Sequence, residues 1–186
     1  RVTGAKIRAP GELHTRDDIA PELIARCVQI DAASVRLSTH SPTFASVGLA
    51  FAFAELDGLD TLGRARPNAA IFAEAAAFHK EDKTGFSLFL YTRSAENPWH
   101  IRARMFAPLD NVIEDPATGS ASAALGAYLT SLLPEADAEI KITIEQGVEM
   151  GRRSVIGLDV RKSAGVVTDV FLSGDCVSVM RGEVSY

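Results

Sequence analysis

The chain has 186 residues, of which 47% are hydrophobic, 23% charged and 7% aromatic. This is the composition of an ordinary globular protein, and it excludes disordered, collagen-like and low-complexity classes. At roughly 150 residues per domain, the length allows one complete domain and a piece of another. The 19 basic and 24 acidic residues give a net charge of −5, and the longest basic run is Arg152-Arg153, which disfavours a nucleic-acid partner.

The cysteines and the apolar runs bear on location. Cys27 and Cys176 show neither a C-x-x-C spacing nor a disulfide framework, so a reducing compartment, the cytoplasm, is predicted. The longest uncharged run, residues 37–54, is interrupted by polar residues and is too polar to span a bilayer, so no membrane partner is expected. The chain begins at Arg1 without a signal sequence, and we expect its numbering to start inside a longer gene product.

The first half of the chain predicts two helices among several strands. Thr15 and the following aspartates precede apolar residues at helical spacing, which predicts a helix over residues 17–29. An alanine-rich segment predicts a second helix over residues 68–79. Strands are predicted where β-branched and aromatic residues alternate or cluster: residues 3–9, parts of 35–56, 86–91 and 100–106.

A helix without a polar face is predicted in the second half. After a turn over residues 114–119, apolar residues keep helical spacing and no charge occurs from Thr118 to Leu133. This pattern predicts a helix over residues 120–133 that is buried on all sides. The glycine-punctuated remainder predicts strands over residues 139–146, 154–161, 166–172 and 177–184. Strands surrounding one buried helix indicate an α+β fold.

The segment from Asp115 to Ser120 carries the best candidate for chemistry. The first amides of a helix have no internal partners, so Thr118, Gly119 and Ser120 would present donors to a carboxylate or phosphate. A carboxylate such as Asp115 beside an anion site is what acid–base chemistry on a bound acid needs. An Asp-Pro turn with Thr118 or Ser120 as the helix N-cap explains the same pattern without any function.

Other chemistry has little support in the sequence. The four histidines lack ligand spacing and neither cysteine has a nearby partner, so no metal is expected. The nucleotide-binding and G-x-S-x-G patterns are missing, so no cofactor is expected. Arg102 and Arg104 share a strand face and either bind a substrate carboxylate or, as is commoner for arginine, lie in solvent. Glu114 is disfavoured as a catalytic partner of Asp115, because the side chains of neighbouring residues point apart. Gln146-Gly147 is interpreted as a turn.

Several motifs resemble, in the same order, those of the phenazine-biosynthesis (PhzF-type) isomerase family. The specific one is the stretch Glu114–Ala121, and weaker matches flank it: Val47–Leu49, Met105–Pro108, Gln146-Gly147, Met150–Arg152 and Gly182-Glu183. The family usually has proline where this chain has Ala50, a position that is not catalytic. The resemblance covers nearly all of this chain but only the later part of the family's length.

The resemblance implies a fold similar to that of diaminopimelate epimerase. Such proteins have two related lobes, each a curved, mostly antiparallel sheet wrapped around a central buried helix, with the active site between them. Residues 1–42 would then be the end of the first lobe and the crossover, and residues 43–186 the second lobe, whose last strand can pair back to the first. The family's principal proton shuttle, a glutamate, would precede Arg1, so this chain alone is expected to be inactive.

The resemblance also implies a reaction and a set of partners. Asp115 would be the second-lobe carboxylate that faces the substrate, and Thr118, Gly119 and Ser120 would bind it. The reaction would be a cofactor-independent proton transfer at carbon, an isomerisation or epimerisation of a small carboxylic acid. The expected partners are that acid, the missing lobe and a second copy in a homodimer. The alternative is a non-catalytic member of the family that acts as a binding or interaction module.

Overall fold

The computed structural model describes residues 3–79, 85–178 and 180–184. The ten strands described here join in one sheet. The strands are β1 (Gly4–Arg8), β2 (His14–Asp18), β3 (Thr43–Ser46), β4 (Ala50–Glu55), β5 (Leu88–Arg93), β6 (His100–Ala107), β7 (Val112–Asp115), β8 (Ala138–Gln146), β9 (Ser154–Ser163) and β10 (Val166–Asp175). The helices are α1 (Pro21–Val28), α2 (Leu59–Arg64), α3 (Ala69–Phe78) and α4 (Gly119–Ser131). Within the described residues, none of these helices is long and apolar enough to cross a membrane.

The sheet curls because its two edge strands are consecutive in the sequence. The strand order is β1-β10-β9-β8-β6-β5-β4-β3-β2, and β7 pairs with β6 beside this path. The β4–β5 and β6–β8 pairs are parallel, and the other pairings named here are antiparallel. A flat sheet of this order would hold β1 and β2 about 40 Å apart. Residues 9–13, which link them, reach about 20 Å at most.

Alternate residues of the central strands face two separate cores. In β4, Phe51 and Phe53 belong to the cluster that contains α4, whereas Ala52 and Ala54 belong to the cluster that contains α1, α2 and α3. Successive side chains of a strand point to opposite faces, so α4 lies inside the curl and the other helices lie outside it. The predicted α+β fold, a curved and mostly antiparallel sheet around one central helix, is therefore confirmed.

The helix α4 is buried along most of its length, as predicted. Residues 121–127, Leu129 and Thr130 are buried. A Cβ atom on Gly126 would lie 2.6 Å from Cδ1 of Leu158, which is too close for two carbon atoms, and would make a tight contact of 3.3 Å with Cδ1 of Ile142. Small side chains therefore let this helix approach the inner face of β8 and β9.

The predicted start of the first helix is wrong. Residues 14–18 form β2, which pairs with β3 through His14 and Ser46 and through Asp18 and Thr43. The helix begins at Pro21, since proline suits the first turn of a helix and disfavours the helical conformation in the residue before it. Ala20 accordingly has an extended backbone, with ψ at 129°.

The predicted strand over residues 177–184 is also wrong. Residues 177–178 and 180–184 have no regular secondary structure, and residue 179 lies outside the described residues. A run of apolar residues becomes a strand only when it finds a partner, and the described part of the chain offers none here. The short elements α2 and β7 were not predicted. The boundary between two lobes at residue 42 stays a prediction, although β1 and β2 belong to the same sheet as the later strands.

A buried polar network connects the loop before β3 with β4 and β5. Nδ1 of His40 lies 2.7 Å from the carbonyl oxygen of Ser41, so this nitrogen carries the ring proton of the neutral side chain. Nε2 of His40 therefore accepts a hydrogen bond from the Tyr91 hydroxyl at 2.7 Å. The Tyr91 oxygen also lies 3.4 Å from Oε2 of Glu55, whose other oxygen accepts from Nε of Arg93 at 3.2 Å.

We expect the folded state to lose stability as the pH falls through the range in which His40 titrates. Burial lowers the pKa of His40 below its ordinary value, although the Ser41 carbonyl and the Glu55 carboxylate act in the opposite direction. Below about pH 6.5 the unfolded chain then binds a proton that the folded chain does not, so the free energy of unfolding decreases. Thermal melts between about pH 7.5 and about pH 5.5 measure this effect.

The replacement His40→Gln should make the melting temperature less dependent on pH. The matched control is His14→Gln, which removes an exposed histidine and should keep the dependence of the original protein. Equal pH dependence in the His40→Gln variant and the original protein would show that His40 is not the titrating group.

Candidate active site

The predicted site residues lie together at the connection between β7 and α4. Asp115 is the last residue of β7, where it pairs with Met105 of β6, and α4 begins at Gly119. The carboxylate of Asp115 folds back over this connection. Its Oδ2 accepts a hydrogen bond from Oγ1 of Thr118 at 2.6 Å, and its Oδ1 accepts a long one from the amide of Ala117 at 3.4 Å.

The first amides of α4 have no intrahelical acceptor. The first internal bond of the helix runs from the amide of Ser122 to the carbonyl of Thr118, at 3.0 Å. The amides of Gly119, Ser120 and Ala121 come earlier in the helix, where they have no partner of this kind. No side chain in the described part of the chain caps the helix, and Ser120 is exposed. Among the described residues, the amides of Gly119 and Ser120 thus have no acceptor.

Thr118 differs from the role expected of it. Its side chain is buried, and both of its donors are bound within the protein: the amide donates to Oε1 of Gln146 at 2.9 Å and the hydroxyl to Asp115. It therefore has no donor left for a substrate. It fills the position before the helix and holds the aspartate in place.

Gln146 is a central residue of the site that the sequence analysis missed. It is the last residue of β8 and is fully buried. Its Nε2 donates to the carbonyl of Asp115 at 2.6 Å and to Oγ1 of Thr118 at 2.9 Å. The signal was available in the alternation of β8: Ile142, Ile144 and Gln146 occupy successive inward positions. A polar residue at an inward position of a strand needs hydrogen-bond partners.

Gly147 does form the predicted turn, and its lack of a side chain also allows two parts of the site to pack closely. Its φ of 73° lies in the left-handed region that favours glycine. A Cβ atom there would lie 2.8 Å from the carbonyl oxygen of Pro116 and 2.4 Å from that of Arg152. The connection after Asp115 could not pack against the end of β8 if this residue had a side chain.

The expectation that Arg104 lies in solvent is wrong. This residue is 4% exposed, since β6 lies in the middle of the sheet with both faces covered. Its Nε and Nη2 donate to the two carboxylate oxygens of Glu114, each at 2.8 Å. Its Nη1 donates to the carbonyls of Leu62 and Ala65 at the end of α2, each at 2.9 Å. Both oxygens of Glu114 are thus occupied, and the pair fixes the strand that ends in Asp115.

A cleft of about 860 Å³ opens beside the start of α4. It is lined by Ala117 and Gly119 on one side and by residues of β1, β9 and β10 on the others. No Lys or Arg occurs in the sequence between Arg104 and Lys141, but the fold brings Arg153 to this cleft. Arg153 is exposed, and its Nη2 donates to Glu145 at 2.6 Å, which lowers the pKa of that carboxyl. Among residues 3–79, 85–178 and 180–184, no cluster of His, Cys, Asp and Glu could hold a metal ion.

The sequence is similar to curated proteins that are longer than this chain. A family model described as "Phenazine biosynthesis-like protein" matches residues 15–182. An uncharacterized isomerase of Mesorhizobium japonicum is 28% identical over 183 residues, which are 97% of this chain and 58% of that protein. A trans-2,3-dihydro-3-hydroxyanthranilate isomerase of Pseudomonas chlororaphis is 39% identical over 83 residues, which are 45% of this chain and 30% of that protein. The chain thus spans little more than half the length of the first of these relatives.

Solved structures share the fold. A PhzF-family phenazine biosynthesis protein of Bacillus anthracis superimposes with a TM-score of 0.78 at 22% identity, over 92% of this chain and 57% of that one. A PhzF-family protein of Enterococcus faecalis gives a TM-score of 0.60 at 17% identity, over 94% of this chain and 55% of that one. At these identities the likeness establishes the curled sheet around α4.

Proposed function

Because the chain belongs to the phenazine biosynthesis-like protein family, we propose that it supplies one half of the active site of a cofactor-independent isomerase or epimerase. Relatives of the chain are named as isomerases, which supports this class of reaction. The chain matches 58% of the Mesorhizobium japonicum relative. We therefore place the other half of the site, with the proton-shuttling glutamate of the family, in a first lobe that this chain does not contain.

The observation that carries the proposal is an aspartate beside an uncapped helix start. A proton at carbon leaves only when a base is close to it and when the negative charge left behind is stabilised. The carboxylate of Asp115 is such a base, or the acid that returns the proton. The amides of Gly119 and Ser120 are the donors suited to the developing charge on a substrate carboxylate or enolate, since preformed donors strongly stabilise such charge.

The surroundings of the cleft favour an anionic substrate. The start of a helix carries a partial positive charge, which would attract a carboxylate. The guanidinium of Arg153 lies at the same cleft, where it is paired with Glu145, and Asp175 also lines the cleft. We therefore propose a small carboxylic acid as the substrate, with its acid group toward Gly119 and Ser120 and its reacting carbon toward Asp115.

The test is deuterium incorporation from heavy water. We expect the full-length protein to place solvent deuterium on carbon in trans-2,3-dihydro-3-hydroxyanthranilate, the compound in the name of the Pseudomonas chlororaphis relative, or in another small carboxylic acid of a test panel. Residues 1–186 alone should give none, because the second carboxylate is missing. Mass spectrometry of the recovered acid measures the deuterium incorporated by the full-length protein and by residues 1–186. Turnover by residues 1–186 alone would refute the half-site, and binding without exchange by the full-length protein would indicate the non-catalytic module instead.

A further inference from the structure

We propose that Gln146 and Thr118 are positioning residues that orient the Asp115 carboxylate through a hydrogen-bond chain with a fixed direction. The inference rests on the proposed role of Asp115 and adds two residues that act through it. The chain runs from Nε2 of Gln146 to Oγ1 of Thr118, and from that hydroxyl to Oδ2 of Asp115.

The direction of the hydrogen-bond chain follows from which groups can only donate and which can only accept. The amide of Thr118 can only donate, so the atom of Gln146 that lies 2.9 Å from it must be the oxygen, Oε1. The carbonyl oxygen of Asp115 can only accept, so the atom of Gln146 that lies 2.6 Å from it must be the nitrogen, Nε2. Two independent contacts therefore fix the orientation of this amide. Its second N–H then points to Oγ1 of Thr118, whose single proton is left for Asp115.

Burial makes this arrangement stable. Gln146 is fully buried and Thr118 is 6% exposed, so water does not compete for these bonds. A buried polar group that loses its hydrogen-bond partner destabilises the fold, which disfavours any other rotamer of either side chain. The three residues therefore hold one geometry before a substrate arrives, as an active site requires.

The hydrogen-bond chain distinguishes the two carboxylate oxygens of Asp115. Oδ2 is held by the short bond from Thr118, at 2.6 Å, whereas Oδ1 receives only the long bond from Ala117, at 3.4 Å. We assign Oδ1 as the oxygen that exchanges a proton with the substrate, because it has the greater free accepting capacity. Loss of the Thr118 hydroxyl would let the carboxylate rotate and move Oδ1 away from the reacting carbon.

The first experiment compares two replacements of Thr118 in the full-length protein. Thr118→Val keeps the shape of the side chain but removes the hydroxyl, and we expect kcat for deuterium exchange to fall about 100-fold with little change in KM. Thr118→Ser keeps the hydroxyl and should restore kcat to within a few-fold. The matched control is Thr130→Val, which replaces a buried threonine of α4 whose hydroxyl has no partner among the described residues. It should leave kcat unchanged.

The second experiment does not depend on activity. In the full-length protein, Gln146→Met should remove the hydrogen-exchange protection of the Thr118 amide, while the amide of Ser122, bonded within α4, stays protected. If the full-length protein shows no deuterium exchange on any acid, the proposed function fails. The protection of the Thr118 amide then still tests the hydrogen-bond chain. If the protein is active but Thr118→Val keeps its kcat, or if the Thr118 amide stays protected in Gln146→Met, the positioning role is overturned while the role of Asp115 stands.

Discussion

Replacing Asp115 by Asn in the full-length protein should lower the rate of deuterium incorporation about 1000-fold, because an amide neither takes nor returns a proton at carbon. The fold should stay intact. Asparagine has nearly the same shape. Its side-chain oxygen can still accept the hydrogen bond that the Thr118 hydroxyl donates to Oδ2 of Asp115, at 2.6 Å, in the original protein. The measurements are deuterium content by mass spectrometry and the melting temperature of the same sample.

A second aspartate provides the matched control for Asp115→Asn. Asp110 lies in the exposed turn between β6 and β7. Asp110→Asn makes the same chemical change, with the same loss of one negative charge, and should leave the exchange rate within about twofold of the original. Undiminished exchange in Asp115→Asn would mean that this residue is structural.

Replacing Ala124 by Glu should destabilise the fold by at least about 4 kcal/mol. Ala124 lies in the middle of α4 and is fully buried. A glutamate there would place a charge in the apolar cluster inside the curl, and it would also overfill a space that is shaped for a methyl group. Urea unfolding followed by circular dichroism measures the change.

The control for this replacement lies on the outer helix. Ala73 is exposed on α3, so Ala73→Glu changes the same residue type in a helix without burying a charge. It should alter the free energy of unfolding by less than about 0.5 kcal/mol. Equal urea midpoints for the two variants would contradict the burial of α4.

The parts of the fold that could be predicted are those whose signal lies within a few residues. The stretch from Thr118 to Leu133 has no charge, and a helix of that composition is stable only when it is surrounded. The start of α1 was mispredicted because Asp17 and Asp18 suit a helix start in the sequence, whereas β3 recruits their segment as an edge strand. Residues 177–184 have the composition of a strand, but strand formation depends on a partner elsewhere, which composition does not reveal.

The residues of the candidate site likewise divide into those that local sequence predicts and one that it does not. Asp115, Gly119 and Ser120 belong to one strand–turn–helix connection, so their proximity follows from local sequence. Gln146 bonds to Asp115 across 31 sequence positions, and the contact exists because β8 lies beside β6 in the sheet. The order of strands cannot be deduced from any single segment. The residue that fixes the aspartate was therefore visible only as a polar residue at an inward position of a strand.

The pairing of β1 with β10 has a consequence for how this chain folds during synthesis. Gly4 pairs with Asp175 and Arg8 with Phe171, so the first strand has its partner near the other end of the sequence. At about 5–20 residues per second, the ribosome needs about 10–30 s to produce that partner after the first strand emerges. Such long-range closure is also the slow kind in refolding, because the entropy of the intervening loop is lost before the contact forms. Of the ten strands described here, β1 is thus the first to be made and the last to be incorporated into the sheet.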